Sequence, residues 1–213
     1  MDAKMLDLYF IAGSQNIPEG RSLPQVLEEA LQAGITCFQL REKGEGSVRS
    51  DPAAYRKLAQ DCQNICRSYQ VPFLINDDVD LALELDADGV HVGQADEKVE
   101  QVRERIGAEK IIGLTADHLP HIRQAEELGC VDYVGLGPIS KSTSKLDTAE
   151  VLGVEGLREI TEQGVHLPIV AIGGITPENA AAVRQTGVDG LAFISVVSCS
   201  DDIEETVKQL RGG

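Results

Sequence analysis

The chain has 213 residues, 42% of them hydrophobic, which is enough for one sizeable core and points to a single domain over residues 1–213. Aromatic residues make up only 4%, Trp is absent and the formal net charge is -16. That balance argues against base-stacking platforms and repels nucleic acid and anionic membrane, so neither is expected as a partner. Any bound anion must be held locally by Lys, Arg, backbone N–H or a metal ion, since salt screens longer-range repulsion beyond about 8 Å. The five cysteines (Cys37, Cys62, Cys66, Cys130, Cys199) show no metal-ligand spacing and read as reduced packing residues. Met1 to Lys4 is short and polar, and no apolar run approaches the roughly 20 residues of a membrane span. A cytoplasmic location is the expectation.

Short apolar runs alternate with longer amphipathic ones along the whole chain. The first strand is expected at Leu8–Ile11 and the first helix at Leu23–Ala33. Strand Cys37–Leu40 then precedes helix Ala53–Tyr69, and strand Phe73–Ile75 precedes helix Val79–Leu85. Strands Gly89–Val92 and Ile111–Leu114 alternate with helices Val99–Ile106 and Leu119–Leu128. The last three strands, Tyr133–Leu136, Ile169–Ile172 and Gly190–Phe193, are followed by helices Val154–Glu162, Pro177–Thr186 and Asp202–Leu210. Pro52, Pro120 and Pro177 stand at helix starts, where a missing N–H costs nothing, and Gly34, Gly107, Gly129, Gly164 and Gly187 follow helices as stop signals.

The strand runs are almost continuously apolar, as expected when protein covers both faces. Eight such units in about 200 residues fit an α/β fold of the closed (β/α)8 TIM-barrel type. An open doubly wound sheet is the rival. The first strand lacks a Gly-rich dinucleotide fingerprint, and polar clusters follow many strands in turn, which favours the barrel.

In such a barrel the active site lies at the strand C-termini. Alternation within the run Gln39-Leu40-Arg41-Glu42-Lys43 puts Gln39, Arg41 and Lys43 on one side, a candidate anion clamp, and Leu40 and Glu42 on the other. Asn76-Asp77-Asp78 follows the third strand; Asp78 suits a helix cap, which leaves Asn76 and Asp77 to account for. Asp96 follows the fourth strand, either as a cap or as a second acid beside Asp77. Two carboxylates with no Cys or His cluster suit a hard ion such as Mg²⁺, which keeps several waters and binds phosphate oxygens. His91 reads as a packing or supporting residue. Thr115 presents a hydroxyl after the fifth strand, and Ser142, Thr143, Ser144 and Lys145 form a hydroxyl-rich loop after the sixth. Gly173-Gly174 after the seventh strand and Ile194-Ser195 after the eighth stand where barrels recurrently bind phosphate.

These segments together resemble the thiamine-phosphate synthase (thiamine-phosphate pyrophosphorylase) family. The resemblance is carried by residues 39–43, Asn76-Asp77-Asp78 and Val92-Gly93-Gln94 with Asp96. Further on it is carried by Gly135 to Ile139, Lys145 with Asp147, Ala171 to Ile175 and Ile194-Ser195. It implies a transferase that joins a pyrimidine-methyl diphosphate to a thiazole phosphate, with Mg²⁺ as cofactor and small phosphorylated substrates as partners. By the same resemblance Gln39, Leu40, Arg41, Glu42, Lys43, Asn76, Thr115 and Lys145 bind the pyrimidine diphosphate. Arg41, Lys43 and Lys145 act on its departure, and Asp77 and Asp96 hold the metal. Ser142, Thr143, Ser144, Gly174, Ile194 and Ser195 surround the thiazole phosphate. The chain departs from the family's pattern at Ser140-Lys141, where an aromatic and a proline are usual, and at Ser142 and Ser144, where threonines are usual. Thr115 stands in place of serine, and Asp117 adds an acid. Rival readings are the thiazole tautomerase of the same barrel family, which needs no diphosphate side, and a non-catalytic phosphate-ligand binder. The sequence is compatible with a homo-oligomer, because outer helix faces can pair without leaving a readable mark.

Overall fold

A computed structural model describes residues 1–141 and 150–212. The eight expected strands are present: β1 (Leu8–Ala12), β2 (Cys37–Leu40), β3 (Phe73–Asn76), β4 (Gly89–Val92), β5 (Ile111–Ala116), β6 (Tyr133–Leu136), β7 (Ile169–Ile172) and β8 (Gly190–Phe193). They pair in parallel and in chain order, and β8 returns to β1 through Leu8 opposite Leu191, which closes the barrel. The helices are α1 (Leu23–Gln32), α2 (Pro52–Ser68), α3 (Val79–Glu84), α4 (Val99–Ile106), α5 (Leu119–Leu128), α6 (Gly153–Thr161), α7 (Pro177–Arg184), α8 (Ser195–Ser198) and α9 (Ile203–Arg211). Sequence reading misses α8, since four residues carry no periodicity. It also ends β1, β3 and β5 early, by one, one and two residues. Asn76 pairs with His91, and Thr115 and Ala116 pair with Gly135 and Leu136, so Asn76 and Thr115 belong to strands rather than loops.

Strand alternation divides the core in two. Leu8, Phe10, Phe38, Leu40, Ile75, Val90, Val134 and Phe193 face the helix layer. Tyr9, Ile11, Cys37, Leu74, Tyr133, Val170, Ala192 and Ile194 form a second cluster, in the barrel lumen. Helix starts follow ordinary capping chemistry: Asp51 accepts from the amides of Ala53 and Ala54 at α2, and Asp78 accepts from Leu81 N at α3.

The N-terminal face of the barrel uses one device four times. A polar residue directly before each even-numbered strand clasps the start of the preceding odd-numbered one. Thr36 Oγ1 accepts from Leu8 N, while Asp88, Asp132 and Asp189 accept from the amides of Phe73, Ile112 and Ile169, the three carboxylate bonds all at 2.8 Å. Each clasp is returned by a backbone bond, for example Asp132 N to Ile112 O. Without these partners the strand-start amides would be left unpaired beside the core. Three of the acids are thereby assigned to stability, far from the opposite mouth.

Candidate active site

The strand C-termini bring part of the predicted set together. Gln39 is buried and donates from Nε2 to Tyr9 Oη at 2.7 Å. Arg41 follows directly after β2, and its carbonyl accepts from Gln15 Nε2 at 2.7 Å. Lys43 is exposed and reaches from the loop after β2 to the turn after β3, where Nζ lies 2.8 Å from Asp77 Oδ2.

Asp77 occupies the left-handed region with φ +62°, and the amide of Asp78 bonds to the carbonyl of Asn76 across it at 2.8 Å. A non-glycine residue held in such a tight turn is uncommon, and over-determined backbone of this kind gathers at functional positions. The turn leaves the Asp77 carboxylate close enough to Asp96, on the loop after β4, for the two to interact electrostatically. Burial pushes the Asp77 carboxyl above its ordinary range and the Asp96 carboxylate adds to the rise, while Lys43 opposes it.

Asp96 is no helix cap: Lys98 occupies the cap of α4, and Asp96 Oδ2 instead accepts from Gly93 N at 2.8 Å. Two carboxylates from adjacent loops are therefore side by side. No group of three or more His, Cys, Asp or Glu able to hold a metal exists among the described residues. A pair of hard oxygen donors without Cys or His beside it suits Mg²⁺ rather than a caged transition metal.

Two residues of the expected substrate set turn their side chains elsewhere. Leu40 is buried in the helix-facing layer, as strand alternation dictates. Glu42 is also buried, and its carboxylate accepts from Ser14 N at 2.5 Å, Ser14 Oγ at 2.8 Å and Val48 N at 2.8 Å. It fastens the loop after β1 to the loop after β2 and so braces the segment that carries Arg41 and Lys43.

Ile194 lies in the lumen cluster and Ser195 begins α8. The Gly173-Gly174 turn has φ values of +95° and +67°. A Cβ on Gly174 would come within 2.1 Å of Ser140 Oγ, so close approach of the β6 loop requires glycine there. Ser140 Oγ and Asn179 Nδ2 both donate to the Gly174 carbonyl. Ser142, Thr143, Ser144 and Lys145 lie outside the described residues.

Sequence reading misses Tyr9 and Tyr133 beneath the mouth, while His91 takes the supporting place expected of it. Tyr9 and Tyr133 meet at 2.7 Å between their hydroxyls, Tyr133 Oη reaches His91 Nδ1 at 2.9 Å, and His91 Nε2 reaches Thr115 Oγ1 at 3.0 Å. Burial raises both phenols well above their ordinary range, so both stay protonated. Period-two alternation places each tyrosine on the lumen face, which is the one available signal. Arg49 was also passed over; it pairs with Asp78 at 3.2 Å and lies over the Tyr55 ring.

A closed parallel barrel whose cations and carboxylates converge at the strand C-termini is the architecture of a barrel enzyme, with its chemistry at that face. Comparison with known proteins makes this specific. The model of the thiamine monophosphate synthase family matches residues 8–197. A thiamine-phosphate synthase of Listeria monocytogenes is 52% identical over 207 residues, covering 97% of this chain and 95% of that protein. One from Bacillus cereus is 49% identical over 208 residues, covering 98% and 92%. The structure of a thiamine phosphate pyrophosphorylase from Pyrococcus furiosus superposes with a TM-score of 0.84 at 36% identity, covering 98% of this chain and 95% of that one. The chain belongs to the thiamine monophosphate synthase family and is a transferase of thiamine biosynthesis. Among the described residues no helix is long and apolar enough to cross a membrane.

Proposed function

We propose that the enzyme joins 4-amino-2-methyl-5-(diphosphooxymethyl)pyrimidine to a thiazole phosphate, or its carboxylated form, and releases pyrophosphate in a Mg²⁺-dependent reaction. The observation that carries this reading is the convergence of Asp77, Asp96 and Lys43 on one side of the mouth. Two adjacent carboxylates, one of them half-buried and in a strained turn, repel each other unless a cation is shared between them. In this reading the two acids hold Mg²⁺, which when bound supplies positive charge to the departing diphosphate.

The chain's own groups do the rest. The bond from the pyrimidine methylene carbon to the diphosphate oxygen breaks, and the electron pair leaves with the diphosphate. Arg41, Lys43 and Lys145 offset the negative charge that grows on it. Asn76 and Thr115, on strands rather than loops, orient the diphosphate from the lumen side. The thiazole nitrogen lone pair then forms the new bond to the carbon, so no protein nucleophile is required. Ile11, Val170 and Ile194 line the lumen as apolar side chains and keep water from the cationic carbon. The Gly173-Gly174 turn, Ile194 and Ser195 hold the thiazole phosphate together with the hydroxyls of Ser142, Thr143 and Ser144.

The test mixes the protein with both substrates and Mg²⁺ and measures pyrophosphate. Asp77→Ala and Asp96→Ala should each lower turnover by about 100-fold or more and raise the Mg²⁺ requirement. Wild-type rates for both variants in the presence of EDTA would refute the metal role. A shift confined to the thiazole spectrum would instead identify a tautomerase.

A further inference from the structure

The lumen beneath the mouth holds five polar side chains in a single file: Gln39, Tyr9, Tyr133, His91 and Thr115. The first four are buried; at one end stands Thr115, which the reaction above assigns to the diphosphate, and at the other Gln39, which the family resemblance assigns to it. The fold makes deliberate room for the middle of the file. A Cβ on Gly113 would fall 2.3 Å from Tyr133 Oη and 2.5 Å from His91 Nδ1, and one on Gly135 would fall 3.2 Å from His91 Cε1.

Proton counting gives the file a direction. The Gln39 amide nitrogen can only donate, so Tyr9 Oη accepts from it. Tyr9 then has its own proton to place, and the nearest strong acceptor is Tyr133 Oη at 2.7 Å. Tyr133 passes its proton to His91 Nδ1. A neutral imidazole that accepts at Nδ1 carries its proton at Nε2 and donates to Thr115 Oγ1. The opposite direction would have Tyr9 Oη accept from both neighbours and leave its own proton against the Cys37 thiol, a weak acceptor. With Thr115 Oγ1 accepting from beneath, its own hydrogen is directed into the mouth.

We propose that Tyr133 and His91 are positioning residues that fix the Thr115 hydroxyl as a hydrogen-bond donor to the anionic leaving group. The kinetic part of this inference rests on the proposed reaction; the polarity of the file does not. An undirected hydroxyl spends part of its time presenting a lone pair to the diphosphate, which wastes the contact when charge develops there.

Two measurements test it. The first labels the histidine rings with ¹⁵N and assigns the His91 signals, among the chain's four histidines, by comparison with His91→Asn. Nδ1 is expected at the unprotonated shift and Nε2 at the protonated one, with the preference weakened in Tyr133→Phe. The Nδ1–H tautomer would overturn the proposal, whatever reaction the enzyme catalyses. The second compares kcat of His91→Gln, whose amide can still donate toward Thr115, with that of His91→Asn, which reaches only Tyr133. His91→Asn should lose about tenfold in kcat and His91→Gln about threefold or less, with similar falls in melting temperature. In a Thr115→Val background His91→Asn should cost no further kcat, although its effect on melting temperature persists. Equal kcat losses for the Asn and Gln variants would reduce His91 to a structural role. So would an undiminished His91→Asn effect on kcat in the Thr115→Val background, where the hydroxyl is missing. Absence of pyrophosphate release by the wild type would count against the proposed reaction alone, and the ring shifts would still decide the polarity.

Discussion

Gly113→Ala places one methyl group on the busiest point of the lumen. The new Cβ would stand 2.2 Å from Tyr133 Cζ, 2.3 Å from Tyr133 Oη and 2.5 Å from His91 Nδ1. These are the partners of a 2.9 Å hydrogen bond, so the methyl group wedges between donor and acceptor. Neither ring can retreat easily, because Tyr133 is fully buried and His91 nearly so. Overpacking of this kind costs about 1–3 kcal/mol, and leaving a buried hydroxyl or ring nitrogen unpaired costs about 1–3 more. Alanine recovers about 0.5–1 kcal/mol of the backbone entropy that glycine loses in a strand. The net is a loss of about 1–5.5 kcal/mol, which for a chain of this length is a fall of about 2–20 °C in melting temperature. Gly156→Ala is the matched control: it lies in α6, where the added Cβ meets nothing nearer than Leu152 Cβ at 3.6 Å. It should gain about 0.5–1 kcal/mol. Thermal unfolding followed by circular dichroism reads both. A Gly113→Ala protein that melts with the wild type would refute the crowded lumen and the fixed His91 ring together.

Glu42→Ala should lower the melting temperature and impair turnover at once. It strands the amides of Ser14 and Val48 and detaches the loop that carries Arg41 and Lys43. The expected loss is about 3 kcal/mol, and an unchanged melting temperature would show that the loop-to-loop clasp contributes nothing. Asp77→Asn probes the carboxylate pair through pH. Burial, with Asp96 beside it, raises the Asp77 pKa in the folded state, so folding favours the protonated form. That contribution is fully present below the unfolded aspartate range and is lost as pH rises through the higher folded value. In metal-free buffer, Asp77→Asn should therefore gain on the wild type as pH rises from acid to neutral. Melting temperatures across that range check it, and a variant that loses ground toward neutral pH would contradict the repulsion.

Most of the fold was legible because burial on both faces writes strands as apolar runs, and every expected strand is present within two residues of its expected end. The ends of β3 and β5 are misplaced for a common cause. Asn76 and Thr115 are polar, so hydropathy ends the strand before them, yet parallel partners remain available at His91 and Gly135 and the ladder continues. Glu42 shows the limit for side chains. A carboxylate between Arg41 and Lys43 reads as part of a charged cluster, and only the approach of Ser14 and Val48 turns it into a buried clasp. Asp96 shows the reverse: a plausible helix cap in the sequence, it becomes half of an acidic pair once the Asp77 turn brings the two together.

By itself the chain's order of residues determined which groups stand at strand C-termini, because alternation and helix punctuation are local properties of the backbone. The tertiary structure alone decided which of those groups meet. Lys43 with Asp77, Asp77 with Asp96 and the file from Gln39 to Thr115 all join residues on different strands or on the loops that follow them. Their contact depends on barrel closure and strand register, which arise from the packing of the whole core and are written in no single segment.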